Sequence, residues 1–326
     1  MKEDQQESLH HHHHKKKATT FSRNKFTKPT AYFILLLLSY TLGYLSAPSS
    51  KSSPHSPTPI FAQNTLSTDN AATNTATATA TVSAPARDLD HYLFPTRCAD
   101  PVPSKLVRQT ILDRVFNGTS PYDSFPPAHV SPLLRQKRIK GWGSYGAVFE
   151  NLIRKVKPKT IIEVGTFLGA SAIHMAGLAS GLGLKTQVIC LDDFRGWPGF
   201  RDRFQDIGML NGDVLLLHQF MQNVVHVNAT ESVLFVPFST GSTLEMLCNW
   251  GVFGDLIEVD AGHDFHSAWI DINRAYKILR PGGVMFGHDY FNRADNRGVR
   301  RAVNLFARVN SLRVQADGEH WVIDSA

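Results

Sequence analysis

The sequence predicts an α/β domain on a mostly parallel sheet, closed by an antiparallel hairpin and carried behind one membrane-spanning helix and a disordered stem. Three observations predict it. Short apolar runs alternate with helical-period segments between residues 160 and 286, an Asp-Gly pair joins two apolar runs near the carboxyl end, and one stretch of 22 residues near the start carries no charge.

Residues 87–326 read as the α/β domain. A helix runs through 145–156, where Val148, Leu152, Ile153 and Val156 recur at helical spacing, and Pro158 stops it. The run Thr160-Ile-Ile-Glu-Val164 follows as a short buried strand. Further apolar runs stand at 187–191, 233–236, 256–259 and 284–286, with helical segments near 171–180, 242–249 and 266–279 between several of them. Alternation of that kind is what a parallel sheet covered on both faces requires. Pro281-Gly-Gly283 reads as a turn between the last of those helices and its strand. Residues 311–316 and 320–323 flank Asp317-Gly318, a strong hairpin signal.

The amino-terminal part is organised differently. Residues 29–50 hold no charge and as a helix span about 33 Å, enough to cross a bilayer. Lys15, Lys16, Lys17, Arg23, Lys25 and Lys28 precede it and Lys51 alone follows closely, which keeps residues 1–28 cytosolic and sends the rest across. A hydrophilic lead of 28 residues is long for a signal peptide cleaved after Ala47, so the segment reads as an uncleaved anchor. The short apolar core suits a membrane of the early secretory pathway. Residues 51–86, rich in Ser, Thr, Pro and Ala, read as a disordered stem open to O-glycosylation. The sequons at Asn117 and Asn228 fall on the side expected to be lumenal. The run His10 to His14 reads as a low-complexity tract.

Charge excludes one class of partner. The net +6 is concentrated in residues 1–28, with seven Lys/Arg against three Asp/Glu, while residues 87–326 hold 26 against 24. No concentrated basic face remains for nucleic acid. Three Cys exclude a disulfide scaffold, although Cys98 and Cys248 are able to pair in an oxidising lumen and Cys190 sits within a strand.

The residues able to do chemistry gather at predicted strand ends. In Glu163-Val-Gly165-Thr-Phe-Leu-Gly169-Ala-Ser171 the first strand turns into a helix; the glycines permit close backbone approach, and the helix start offers free N–H groups to an anion. Asp192 ends the second strand, where a doubly wound sheet binds ribose hydroxyls. Asp260, with His263 three residues on, and His288-Asp289 end two later strands at the same sheet edge. They offer two carboxylates and an imidazole to a divalent cation; a capping Asp and a satisfied core His are the plain alternative. The Arg195-to-Phe204 stretch mixes aromatic residues with Arg and reads as an acceptor lid or an ordinary packed loop. Ser239-Thr-Gly-Ser242 reads as an adenine contact or a helix cap.

Taken together, the Glu-Val-Gly-Thr-Phe-Leu-Gly-Ala-Ser string, the acid at the second strand tip, Asp-x-x-His, and Arg-Pro-Gly-Gly with His-Asp-Tyr resemble class I S-adenosylmethionine-dependent methyltransferases. The likeness spans about residues 140–325 and is nearest to the branch of catechol and macrolide-sugar O-methyltransferases. It implies a Rossmann-like sheet. It also implies that Gly165 and Ser171 hold the methionine end of S-adenosylmethionine, with Gly169 in the same cofactor-binding turn, Glu163 near the amino group and Asp192 on the ribose. Asp260, His288 and Asp289 fall on the metal ligands of the metal-dependent members, and His263 on their general base. His288 departs from the carboxylate usual there, which moves the preference from Mg²⁺ toward Mn²⁺ and also admits no metal at all.

The implied activity is O-methylation of a sugar or other hydroxylated acceptor by a type II membrane protein, its domain in the lumen of the Golgi or another secretory compartment. A Golgi-type glycosyltransferase is the competing enzyme, because Asp88-Leu-Asp90 is a D-x-D string, although it lies ahead of every predicted strand. A non-catalytic domain that binds cofactor or glycan is the third reading.

Overall fold

The computed structural model describes residues 97–325. The tail, the anchor at 29–50, the stem, the His10–His14 run and the D-x-D string lie outside the described residues. Among the described residues no helix is long and apolar enough to cross a membrane.

Among the described residues nine strands and eight α-helices follow in chain order: α1 (Val107–Phe116), α2 (Ala147–Val156), β1 (Thr160–Val164), α3 (Ala170–Gly181), β2 (Gln187–Leu191), α4 (Phe200–Arg203), β3 (Met209–Leu210), β4 (Asp213–Val214), α5 (Leu216–His226), β5 (Val233–Val236), α6 (Thr240–Trp250), β6 (Gly254–Val259), α7 (Phe265–Lys277), β7 (Leu279–Gly287), α8 (Ala294–Val309), β8 (Gln315–Asp317) and β9 (His320–Asp324). Strands β3 and β4 form a small separate hairpin; the other seven make one sheet in the order β5-β2-β1-β6-β7-β9-β8. Strands β5 to β7 in that order are parallel, and β9 runs antiparallel to both β7 and β8. The order reverses at β1, with β2 on one side and β6 on the other. Open α/β sheets form their ligand crevice at such a switch point.

Strand composition explains the double covering. Successive residues point to opposite faces, and in β1 Ile162 and Val164 join one core while Ile161 joins the other. The first core is closed by α1, α6, α7 and α8, the second by α2, α3 and α5. The expected strands 160–164, 187–191 and 233–236 form as read. Helices α1, α5 and α8 are additions, although Val299, Ala302, Val303 and Phe306 of α8 carry the helical spacing openly.

Two turns differ from expectation. Pro281-Gly-Gly283 does not precede its strand but lies inside β7, where the register with β6 jumps from Gly254↔Leu279 to Leu256↔Val284. The extra residues bulge outward, and Pro281 and Gly282 are exposed. The carboxyl-terminal hairpin turns at Gly318-Glu319, one residue later, because Asp317 still pairs with His320. Cys98 and Cys248 are joined in a disulfide that ties the segment before α1 to α6, and Cys190 is a buried free thiol.

Candidate active site at the switch point

The β1–α3 turn is built by residues that tolerate left-handed backbone. Gly165 has φ +90°, Phe167 +54° and Gly169 +80°. A Cβ at Gly165 would lie 2.2 Å from the Asp260 carbonyl oxygen, so the ends of β1 and β6 touch only because that side chain is missing. No side chain caps the start of α3. Its first-turn N–H groups keep the anion-binding character expected of an uncapped helix start.

Asp192 holds this turn from the neighbouring strand. Its Oδ2 accepts from the Thr166 and Phe167 amides, each at 2.9 Å, and its Oδ1 from the Phe194 amide at 2.7 Å. Burial pushes the carboxyl up and the three amides oppose that shift. Asp192 therefore stands at the crevice with part of its hydrogen-bonding capacity committed to the protein backbone.

Glu163 is fully buried beneath the same turn. Its Oε2 accepts from the Thr166 hydroxyl at 2.7 Å and its Oε1 from the Ser171 hydroxyl. Burial raises its carboxyl to about 7 against the pull of those hydroxyls. The sequence reading placed Glu163 and Ser171 side by side at a ligand; the structure joins them to each other, beneath the helix start. Glu258 lies beside Glu163 in the parallel register and is equally buried, and burial raises its carboxyl strongly. The sequence reading passed over it. Its signal is the repeat of Ile-Glu-Val at 162–164 and 257–259, a charged residue within an apolar strand in both cases.

At the ends of β6 and β7 three side chains converge. Asp260, His263 and Asp289 each place a donor atom within 4.8 Å of the others'. His263 Nε2 is 2.9 Å from Asp289 Oδ2 and 3.8 Å from Asp260 Oδ1. Asp289 reaches inward through a left-handed backbone, φ +62°, and Asn292 Nδ2 donates to its Oδ1 at 2.7 Å.

His288 corrects the expected ligand set. It lies outside this group: its Nδ1 stands 3.3 Å from Asp289 Oδ2 and its Nε2 3.2 Å from Glu319 Oε2, so both nitrogens face carboxylates. Gly143 covers the ring so closely that a Cβ there would be 2.5 Å from it. His288 thus backs Asp289, and it is the ring of His263, expected as the general base, that meets the two aspartates. The buried ring of His320, 4.9 Å from that of His288 between centroids, extends the cluster.

The electrostatics follow from that arrangement. The Asp260 and Asp289 carboxylates raise His263 to about 10, and Asp289 raises His288 to about 9. Burial opposes ionisation of Asp289, but His263, His288 and Asn292 hold its carboxyl far below the usual range. The His263 imidazolium lies between two carboxylates, where a divalent cation with two oxygen donors and a nearby imidazole would also fit.

A pH dependence of stability results. Above about pH 6.5 the unfolded chain has lost protons that the folded chain keeps on His263 and His288. Their contribution is complete below that pH and is lost as pH rises through about 9 and about 10. In chelator, the thermal midpoint of the native chain is expected to fall between pH 7 and 10 more steeply than that of His263→Ala. Equal slopes would refute the assignment.

The Arg195-to-Phe204 stretch packs as an aromatic cluster over the glycine turn. Trp197, Phe200 and Phe204 surround Phe167, which stacks on Trp142 at 5.3 Å between centroids; Trp142 and Trp197 remain partly exposed. Ser239 caps α6, its Oγ accepting from the Ser242 amide at 3.3 Å.

Comparison with known proteins adds a family match over part of the chain. Residues 162–290 match the family described as a methyltransferase domain. An O-methyltransferase from Bacillus cereus in complex with SAH is similar in structure at 19% identity, over 67% of this chain and 97% of that one, with a TM-score of 0.43. A putative O-methyltransferase from Klebsiella pneumoniae is similar at 19% identity over 73% and 94%, TM-score 0.43. The O-methyltransferase TomG from Streptomyces achromogenes, involved in tomaymycin synthesis and in complex with SAM, is similar at 14% identity over 73% and 96%, TM-score 0.41. No curated protein matches the chain.

Proposed function

From a chain whose residues 162–290 match the family described as a methyltransferase domain, we infer an S-adenosylmethionine-dependent O-methyltransferase, assisted by a divalent cation, that acts on a hydroxyl of a sugar or other hydroxylated acceptor. The observation that carries this reading is the meeting of Asp260, His263 and Asp289 at the ends of β6 and β7, next to the glycine turn after β1. The family match favours methyl transfer over the glycosyltransferase alternative.

The methyl donor supplies an activated sulfonium methyl, which leaves sulfur as a thioether when carbon bonds to the acceptor oxygen. What the protein must add is alignment and removal of the hydroxyl proton. Asp260 and Asp289 would hold the cation, which lowers the pKa of a bound hydroxyl and offsets the two carboxylate charges. With those charges offset, the His263 imidazole would lose the partners that hold its proton, and its Nε2 would then be placed to take the acceptor's. Asp192 and the uncapped start of α3 serve ribose and carboxylate respectively. The partly exposed Trp142 and Trp197 offer flat faces on which a sugar ring can stack.

The direct test is calorimetric binding of S-adenosylmethionine to the full-length chain, with and without Mn²⁺, followed by methyl transfer to a panel of glycans and phenols. Binding is expected under both conditions and turnover only with the cation. No binding in either would end the reading.

The cellular setting belongs to the same proposal: a type II anchor at 29–50 with the domain in a secretory lumen. The Cys98–Cys248 disulfide favours an oxidising compartment. Asn117 and Asn228 are exposed, as glycosylation requires. The expressed chain is expected to shorten on a gel after N-glycosidase treatment, and Asn117→Gln with Asn228→Gln is expected to abolish the shift. A native chain with no shift would count against the lumenal assignment.

A further inference from the structure

Two cavities adjoin each other outside the switch-point crevice, and Tyr145 belongs to both. The first, about 370 Å³, lies between the strip 141–148 and the tip of the β8–β9 hairpin, where Tyr145, Asp317, Glu319 and His320 line it. The second, about 480 Å³, lies between α2 and α3, lined by Tyr145, Glu150, Arg154, His174 and Gly177 among others. Each falls in the range of roughly 300–1,000 Å³ usual for small-molecule sites. Tyr145 forms the ridge between them, 67% exposed, its ring meeting that of His174 edge-on at 5.1 Å.

The helices explain why this groove is open. Gly177 and Gly181 stand one turn apart in α3, and nothing lies within 4 Å of a Cβ at either. Along α2, Ala147 lines the first cavity and Glu150 and Arg154 the second, a helical spacing that covers about 10 Å. At its other end the groove reaches the reaction centre. Glu319 Oε2 is 3.2 Å from His288 Nε2, and His288 Nδ1 is 3.3 Å from Asp289 Oδ2. Gly143, in the wall of the first cavity, also covers the His288 ring. One imidazole therefore separates the first cavity from an aspartate of the candidate cation site.

The lining selects the occupant. Asp317, Glu319 and Glu150 accept from hydroxyl groups, Arg154 donates to them, and the Tyr145 ring offers a flat apolar face. A neutral sugar chain presents hydroxyls and C–H faces along its whole length. An anionic glycan would meet three carboxylates, and a hydrocarbon chain would take water from them without replacing its hydrogen bonds. We propose that the two cavities are consecutive subsites for the sugar rings next to the methylated one, so that the acceptor is a neutral oligosaccharide and not a single sugar. The proposal rests on the sugar-acceptor reading and adds a chain length to it.

The experiment applies the full-length chain, saturated with S-adenosylhomocysteine, to an array of neutral mono-, di- and trisaccharides of pentoses and hexoses. At least one trisaccharide is expected to bind about tenfold or more tightly than its own monosaccharide. Tyr145→Ala should bring that trisaccharide within about twofold of the monosaccharide and leave the monosaccharide unchanged. Gly177→Leu, which fills the second cavity with a good helix former, should lower the trisaccharide only to the affinity of the disaccharide, and it keeps the test open should Tyr145→Ala not fold. Equal affinity at all lengths in the native chain, or a length preference that either folded variant keeps, overturns the inference alone. A dimer in sedimentation that Gly177→Leu dissociates would assign the groove to a second copy and overturn it as well. A chain that binds S-adenosylhomocysteine and no saccharide removes the sugar acceptor together with the inference, and one that binds no S-adenosylhomocysteine ends the methyltransferase reading.

Discussion

Replacing His263 by Ala is expected to lower methyl transfer by about a hundredfold or more, with S-adenosylhomocysteine affinity within about twofold of native. His263 Nε2 is 2.9 Å from Asp289, and among the described residues no hydrogen bond or ion pair links its side chain to the glycine turn or to Asp192. The loss should therefore fall on the proton-transfer step and leave the cofactor's site alone. His263→Gln, which keeps a hydrogen-bonding group but cannot accept a full proton, should be as inactive as Ala. Single-turnover assays beside calorimetry make the distinction. Turnover near native in either variant removes His263 as the base.

Gly165→Ala is expected to abolish cofactor binding and to cost about 2–4 kcal/mol of stability. The new methyl group would meet only backbone: Asp260 O at 2.2 Å, Asp260 C at 2.7 Å and Ala261 Cα at 2.8 Å. No rotamer change relieves such contacts, and φ +90° is unfavourable for any residue with a Cβ. Relief requires β1 and β6 to separate at their ends, which pulls Asp260 from His263 and Asp289 and opens the turn that Asp192 holds. Gly177→Ala is the control, because nothing lies within 4 Å of a Cβ there and the residue is inside α3. That change should be neutral or slightly stabilising. Denaturant midpoints and calorimetry on both variants decide the matter, and a Gly165→Ala chain that binds the cofactor normally would show that the turn is not the site.

Local chemistry accounts for what could be read in advance. Thr160 to Val164, Gln187 to Leu191 and Val233 to Val236 are short apolar runs bounded by breakers, and strands covered on both faces leave that mark wherever they occur. The Gly165–Gly169 turn, the acid at Asp192 and the Asp260 and Asp289 pair lie at strand ends, and the fold class alone sends strand ends to one edge. The bulge at Pro281-Gly-Gly283 was not legible, because the same residues make a turn or a bulge according to the strand beside them. Helix α5 was not legible because its buried face includes the polar Gln219 and Asn223, whose partners are the distant backbone groups of Arg135 and Arg138.

The sequence by itself determined the alternation of strand and helix, the turn of small residues after β1, and which acids and imidazoles stand at the sheet's edge, since each follows from a residue and its near neighbours in the chain. Tertiary structure alone decided that His263, not His288, joins the two aspartates, and that Glu258 stands beside Glu163. Both depend on side-chain direction across β6, β7 and β1, where a left-handed Asp289, a glycine over His288 and a parallel register set positions that no local spacing encodes.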